Sequence, residues 1–215
     1  MSSRSFVAII PMKPLRDVKT RLKGILTPTQ RATLSVEMLK IVVSALKKVD
    51  LGAIWIIGGD NLIKTTALAL EVDWYEDLSG NLNETLNNSF HMAFKSQLIP
   101  MYLPSDLPML QSQDINGLIK TSRNGNIFTL SPAQRDGGTN AMVVPYNSSF
   151  SATLGYDSFL RHQKQARDLG LESRIYSSTG LSLDIDIRED LETFNHLKPG
   201  FVNAIIGDYK APPFM

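Results

Sequence analysis

Phe6-Val7-Ala8-Ile9-Ile10, closed by Pro11, decides the fold class of this chain. Five consecutive apolar residues with no polar alternation describe a strand covered on both faces, which belongs inside a parallel sheet. Parallel neighbours need crossover helices, and the sequence downstream supplies them. Thr27 can cap a helix and Pro28 suits its first position, while Leu34, Met38, Leu39, Val42 and Leu46 recur at helical spacing. Ala53–Ile57 is the next strand; it ends in Gly58-Gly59-Asp60, and a helix pattern through Leu62, Ala67 and Leu70 leads to a short apolar piece at Val72–Tyr75.

The alternation continues with a helix over Asn83–Phe94, a strand over Ile99–Leu103, a helix over Ser112–Thr121 and a strand over Ile127–Leu130. Ala141–Pro145 is predicted as a further strand, open to an antiparallel direction, before a helix over Ser158–Leu169. Ser173–Tyr176, a turn, a strand at Leu183–Ile187 and a last helix over Glu189–Leu197 complete the pattern. Strands and helices in this order predict an α/β, Rossmann-like, three-layer αβα architecture with a mostly parallel, mixed sheet. No internal repeat or low-complexity linker divides the 215 residues, so residues 1–215 read as a single domain. Tyr209–Met215, with two prolines, reads as a loose tail or a segment docked on a second copy in a homodimer.

Composition narrows the chemistry. Lys+Arg 22 against Asp+Glu 21 gives a net charge of +1, too little field to hold a nucleic acid non-specifically. The absence of cysteine excludes disulfides, thiolate-bound zinc, iron–sulfur clusters and thiol nucleophiles, and leaves oxygen-ligated ions such as Mg²⁺. Apolar runs such as Phe6–Pro11 fall far short of the roughly 20 residues that cross a bilayer, so no membrane partner is expected. With no signal-peptide pattern at Met1–Ser5, the expected compartment is the cytoplasm.

Ligands of open α/β sheets bind beyond the carboxyl ends of the strands, and four segments stand there. Pro11-Met12-Lys13-Pro14-Leu15-Arg16-Asp17-Val18-Lys19-Thr20-Arg21-Leu22 carries four cations ahead of a helix. It can wrap a triphosphate, or it is a solvated basic loop; Gly-x-x-x-x-Gly-Lys-Ser/Thr is absent, which argues against P-loop chemistry. Pro104-Ser105-Asp106-Leu107-Pro108 presents a carboxylate at a strand end, suited to Mg²⁺ and equally at home in a plain turn. Asp184 and Asp186 would leave one face of a strand, either completing a metal site with Asp106 or facing solvent on a sheet edge.

Gln134-Arg135-Asp136-Gly137-Gly138-Thr139-Asn140 places a hydroxyl and an amide after adjacent glycines, an arrangement fit for a phosphate or carboxylate and for a hairpin turn alike. Gly155 and Ser158 stand at a predicted helix start, where N–H groups favour an anion and where a simple Ser cap also fits. His162 occupies an amphipathic helix position that suggests packing or surface before catalysis.

In order along the chain come Lys13 with Lys19-Thr20-Arg21-Leu22, Arg31, Leu82-Asn83-Glu84-Thr85-Leu86, Asp106-Leu107-Pro108 and Gly138-Thr139-Asn140-Ala141. Gly155 and Ser158 with Arg161-His162 follow, then Asp184-Ile185-Asp186 with Glu189-Asp190-Leu191. These motifs resemble, nearly end to end, the 2-phospho-L-lactate guanylyltransferase (CofC-type) family and its phosphoenolpyruvate-using relatives. The resemblance implies a nucleotidyltransferase fold and a step of coenzyme F(420) biosynthesis in which GMP passes from GTP to a phosphorylated three-carbon acid and pyrophosphate leaves.

It implies that Asp106, Asp184 and Asp186 hold Mg²⁺, and that Lys13, Lys19, Arg21 and Arg31 neutralise the triphosphate, with Lys13, Lys19, Arg21 and Asp106 the catalytic set. Gly80 and Asn83 would lie near guanine and ribose, and Thr139, Asn140, Gly155 and Ser158 would cradle the acceptor acid. Two positions depart from the family's pattern: Ser105 replaces a small apolar residue, and Tyr156-Asp157 replaces a frequent Pro-Gly. A molybdenum-cofactor guanylyltransferase or a cytidylyltransferase would keep the fold, but the Gly-Gly-x-Ser/Thr-x-Arg signature of those families is replaced here by Pro11-Met12-Lys13-Pro14-Leu15. A non-catalytic nucleotide-binding protein is the alternative of another class; its anion site would gain nothing from added carboxylates without a metal between.

Overall fold

The computed structural model describes residues 4–207, so the tail predicted at Tyr209–Met215 and the first residues Met1–Ser3 lie outside it. β1 (Phe6–Met12), β2 (Ala53–Gly58), β3 (Asp73–Tyr75), β4 (Ile99–Tyr102), β5 (Phe128–Pro132), β6 (Thr139–Val143) and β7 (Ser173–Ile175) join one sheet in the order β3-β2-β1-β4-β6-β5-β7. β1 pairs in parallel with β2 (Val7↔Ala53 to Met12↔Gly58) and with β4 (Phe6↔Ile99 to Ile9↔Tyr102). β6 runs antiparallel to both β4 and β5, and β7 returns to the parallel direction beside β5.

The all-apolar reading of β1 is explained by two cores. Ala8 and Ile10 pack against Leu39, Val42 and Val43 of α1 (Pro28–Leu46) on one face, while Val7 and Ile9 meet Leu86 and Phe90 of α3 (Leu82–Lys95) on the other. All four strand side chains are fully buried, and burying each of Val7, Ile9 and Ile10 contributes roughly 1.5–3 kcal/mol. α1 begins as expected: the Thr27 hydroxyl accepts from Gln30 N at 3.2 Å, and the Gln30 side chain accepts from Thr27 N at 3.0 Å, a reciprocal cap. α2 (Asn61–Ala69), α4 (Ser112–Thr121) and α5 (Ser158–Asp168) supply the remaining cover of the sheet. Leu22, Leu34 and Met38 build a third apolar cluster with Phe194 of α7 (Arg188–Leu197) and with Phe201 and Val202 of α8 (Phe201–Ile206), which ties the C-terminal segment to the front of the molecule.

Several elements differ from the sequence expectation. Leu183–Ile187 is not a strand: it follows a short helix, α6 (Thr179–Ser182), as irregular chain, and Ile185 N donates to Asp106 O at 3.3 Å. Its alternation arises because Ile185 is buried in the third cluster while Asp184 and Asp186 flank it. Ser158 is not the cap of α5 but its first residue; Asp157 stands ahead of it at φ 53, with no side-chain cap. α3 starts earlier than predicted because Asn81 caps it, accepting from Asn83 N at 2.9 Å.

The topology decides where ligand groups gather. The parallel strands β1, β2, β3 and β4 end at one edge of the sheet. Because β6 runs the other way, its first residues Thr139 and Asn140 emerge at that same edge.

Candidate active site

A cleft of about 520 Å³ opens at this edge, within the 300–1,000 Å³ range of small-molecule sites. Its front wall is the loop after β1. Leu15 N donates to Asp60 Oδ2 at 2.8 Å, so the cap residue of α2 also anchors this loop. Gly58 lets the two chains approach: it stands at φ 84, and a Cβ there would lie 2.7 Å from Met12 O. Lys13, Lys19 and Arg21 all line the cleft, whereas Arg16 turns to solvent beside Asp17.

Lys19 adopts a left-handed turn at φ 47. Its side chain is 8% exposed, and Nζ lies 2.5 Å from Asp106 Oδ2 and 3.9 Å from Asp186 Oδ1. Arg21 donates to Asp186 Oδ2 at 2.6 Å. Lys13 has no ion-pair partner among the described residues, so its ammonium is available to a ligand at the rim.

Behind these pairs lies Asp184, which accepts from Asn140 Nδ2 at 3.2 Å. Burial first, and the nearby Asp106 second, push its carboxyl up from the ordinary 3.8 to about 6, against the opposing pull of Asn140, Lys19 and Arg135. Arg135 reaches over from the β5–β6 connection, 3.7 Å from Asp184, 3.6 Å from Asp186 and 3.6 Å from Asp190. Asp190 holds the backbone of the segment, accepting from Asp186 N at 2.7 Å and Ile187 N at 2.8 Å.

Among the described residues no three carboxylate or imidazole groups converge on a point that fits a metal ion. The donor chemistry nevertheless fits Mg²⁺, which takes one or two carboxylates and completes its shell with phosphate oxygens and water. Asp106 and Asp184 are near enough to raise the Asp184 carboxyl, and a divalent cation between them would replace that repulsion with attraction.

Beside this centre, Thr139 Oγ1, Ser158 Oγ and His162 form a buried group at the junction of β6 and α5. The loop in front is braced by Arg161, whose guanidinium donates to Tyr156 O and, at 2.8 Å, to Thr153 O. Gly155 lies in that loop at φ 126. Asp157 is exposed and faces the Gly-rich connection: a Cβ on Gly137 would come within 2.6 Å of its Oδ1.

Not every expected ligand residue lines the cleft. Gly80 does. Asn83 spends its amide on the Gly155 loop, accepting from Leu154 N at 2.6 Å and donating to Leu154 O at 3.3 Å. Arg31 is buried on α1, one turn before Ser35, and its Nε has no partner among the described residues; Ser35 lines the cleft, and its hydroxyl likewise has none among them. Sequence reading assigned no site role to Arg135, Asp190, Ser35 or Asp77. Asp77 lines the cleft and orders the turn before α3, accepting from Ser79 N at 3.0 Å and Thr85 Oγ1 at 2.7 Å. Asp77 and Arg135 follow strands and Asp190 stands at a helix start, which is a signal of position, whereas Ser35 lies inside α1 and gives none.

A three-layer α/β sheet with cations and carboxylates gathered at one strand-end edge defines a protein of the nucleotidyltransferase fold. A solved nucleotide-diphospho-sugar transferase described from Desulfovibrio desulfuricans G20 superposes with a TM-score of 0.75 at 16% identity, covering 94% of this chain and 91% of that one. The particular family follows from the sequence: the chain belongs to the family "Guanylyl transferase CofC like", whose profile matches residues 6–198. Among curated relatives, a phosphoenolpyruvate guanylyltransferase of Thermobaculum terrenum is 28% identical over 193 residues, 89% of this chain and 83% of the relative. A 2-phospho-L-lactate guanylyltransferase of Methanocaldococcus jannaschii is 28% identical over 189 residues, 87% of this chain and 82% of the relative. No helix among the described residues is long and apolar enough to cross a membrane.

Proposed function

We propose that this protein transfers GMP from GTP to a phosphorylated three-carbon acid, 2-phospho-L-lactate, phosphoenolpyruvate or 3-phosphoglycerate, and releases pyrophosphate, as a cytoplasmic step of coenzyme F(420) biosynthesis. The observation that carries this reading is the Lys19–Asp106 contact at 2.5 Å, in a cleft also lined by Lys13 and Arg21. It puts cations for a triphosphate and a carboxylate for a metal within one small volume.

The acceptor's phosphate is an anion at neutral pH, so its oxygen attacks the α-phosphorus without a strong general base. The bond from that phosphorus to the bridging oxygen breaks, and the electrons leave with pyrophosphate. What the protein must supply is alignment and charge neutralisation. Lys13, Lys19 and Arg21 serve the triphosphate and the departing pyrophosphate, and Thr139, Asn140 and Ser158, buried and not part of the cleft lining, would take the acceptor. Asp106 and Asp184, with Asp186 beside them, would hold Mg²⁺. When bound, that ion supplies polarisation of the phosphoryl oxygens.

The test is incubation with GTP, Mg²⁺ and each acid in turn, reading pyrophosphate and the coupled product. Turnover with at least one acid, and none when CTP or ATP replaces GTP, is the expected result. Equal turnover with CTP would remove the guanylyl assignment.

A further inference from the structure

His162 is fully buried and bonded at both ring nitrogens. Thr153 N, a backbone group that can only donate, lies 2.9 Å from Nε2. Nε2 must therefore be the bare nitrogen of a neutral ring, and the proton sits on Nδ1. Nδ1 is 2.9 Å from Thr139 Oγ1, and with its proton in place it donates there. Ser158 Oγ donates to the same Thr139 oxygen at 3.2 Å. A hydroxyl oxygen has two lone pairs, and both are now taken. The Thr139 proton is left with no acceptor among the described residues, in a side chain 4% exposed at the start of β6.

A buried donor without a partner is costly, and the group that would satisfy it is an acceptor oxygen arriving from outside. We propose that His162 is a positioning residue that turns Thr139 into an obligate hydrogen-bond donor for an anionic oxygen of the acceptor acid. This rests on the proposed function for the identity of the acid, but the direction of the hydrogen bonds does not. His162 does not touch substrate. It fixes which way the Thr139 hydroxyl points, and so favours an ionised oxygen over a donor such as an alcohol at this spot.

Three measurements test it. The chain has only 3 histidines, so long-range ¹⁵N–¹H spectra of the wild-type protein resolve the ring of His162. The Nδ1–H tautomer is expected, and the Nε2–H tautomer overturns the proposal. Next, inorganic phosphate is titrated calorimetrically, without GTP, into the wild type and Thr139→Val. Thr139→Val keeps the side-chain shape in β6 and should weaken phosphate about tenfold or more; equal affinity, or no binding to the wild type, overturns it.

Last, two substitutions separate positioning from filling. The amide nitrogen of His162→Asn falls near Nδ1 and can still donate to Thr139, so the acceptor KM stays within about threefold of wild type. His162→Gln reaches the Nε2 position and restores only the Thr153 contact, so the acceptor KM rises about tenfold while the GTP KM does not change. If His162→Gln behaves as wild type while His162→Asn fails, the ring only fills space. If the wild type turns over none of the three acids, the functional reading fails, and the tautomer and phosphate measurements still decide the hydrogen-bond directions.

Discussion

Lys19 Nζ and Asp106 Oδ2 meet at 2.5 Å across 87 residues of sequence, joining the loop after β1 to the end of β4. The pair belongs to a larger charge balance. Asp106, Asp184, Asp186 and Asp190 face Lys19, Arg21 and Arg135, which leaves the aspartates one charge in excess. Burial first, and Asp106 second, raise the Asp184 carboxyl. Arg135 meets its carboxylates only at 3.6–3.7 Å, longer than the usual 2.7–2.9 Å of a charge-assisted hydrogen bond. A site so balanced has room for one more cation on the carboxylates and for phosphate on the lysines and arginines.

Asp106→Asn removes the carboxylate at the centre of that balance and keeps its shape. The expected result is a loss of turnover on the order of 10²–10³-fold, the scale of losing several kcal/mol of charge stabilisation. The fold should stay intact in circular dichroism and thermal melting, since Asp106 is at the cleft and not in either core. Near-normal turnover would remove Asp106 from the metal site.

Lys19→Met tests the same pair from the other side. With the ammonium gone, Asp106 and Asp186 lose a cation and should bind Mg²⁺ more tightly in the absence of nucleotide. The GTP KM should rise about tenfold, because a nearly buried charge aimed into the cleft is lost. Weaker Mg²⁺ binding in a metal titration would show that Lys19 does not compete for the metal's place.

Asp157 stands at φ 53, in the left-handed region that glycine adopts without strain. Its side chain makes no hydrogen bond or ion pair among the described residues. Asp157→Gly should therefore stabilise the protein by up to about 1 kcal/mol, a rise of roughly 2–4 °C in Tm for a chain of this size. A lower Tm would mean that the carboxylate makes a favourable contribution which outweighs the strain.

What the sequence revealed and what it withheld have physical causes. β1 was legible because burial on both faces forbids polar residues, and α1 because Thr27 and Pro28 mark its start chemically. The strand expected at Leu183–Ile187 failed because one buried residue, Ile185, between two cleft carboxylates imitates the period of a strand with no ladder present. α8 was missed because Phe201-Val202-Asn203-Ala204-Ile205-Ile206 is rich in β-branched residues and becomes helical by docking on α1. In the site, the cations of the first loop were visible as a cluster. Arg135 was not, since the aspartates it faces lie some fifty residues further on. Helix periodicity allows His162 either a packing or a surface position, and the structure buries it. Its partner Thr139 lies 23 residues earlier, in the antiparallel strand that the topology folds against it.

That buried ring also sets a pH dependence of stability. Burial first, and the neighbouring Arg161 second, pull His162 down from the ordinary 6.5 to about 4. Its other neighbours, Thr139, Thr153 and Phe150, bring no charge. Between pH 4 and 6.5 the unfolded chain therefore takes up a proton that the native ring refuses, so stability increases with pH across this window and levels off above it. Acidification from 6.5 to 4 withdraws at most about 3 kcal/mol through this one group. Asp184, held near 6 in the fold, acts in the opposite sense, favouring the native state as the pH falls. The wild-type profile alone therefore mixes the two, and the informative quantity is the difference from His162→Asn. Urea unfolding at pH 7 and pH 5 should show the wild type losing more stability than the variant, which has no ring to protonate. Equal losses would mean that His162 titrates near its ordinary value in the native protein, and that its bond from Thr153 N does not hold the ring neutral.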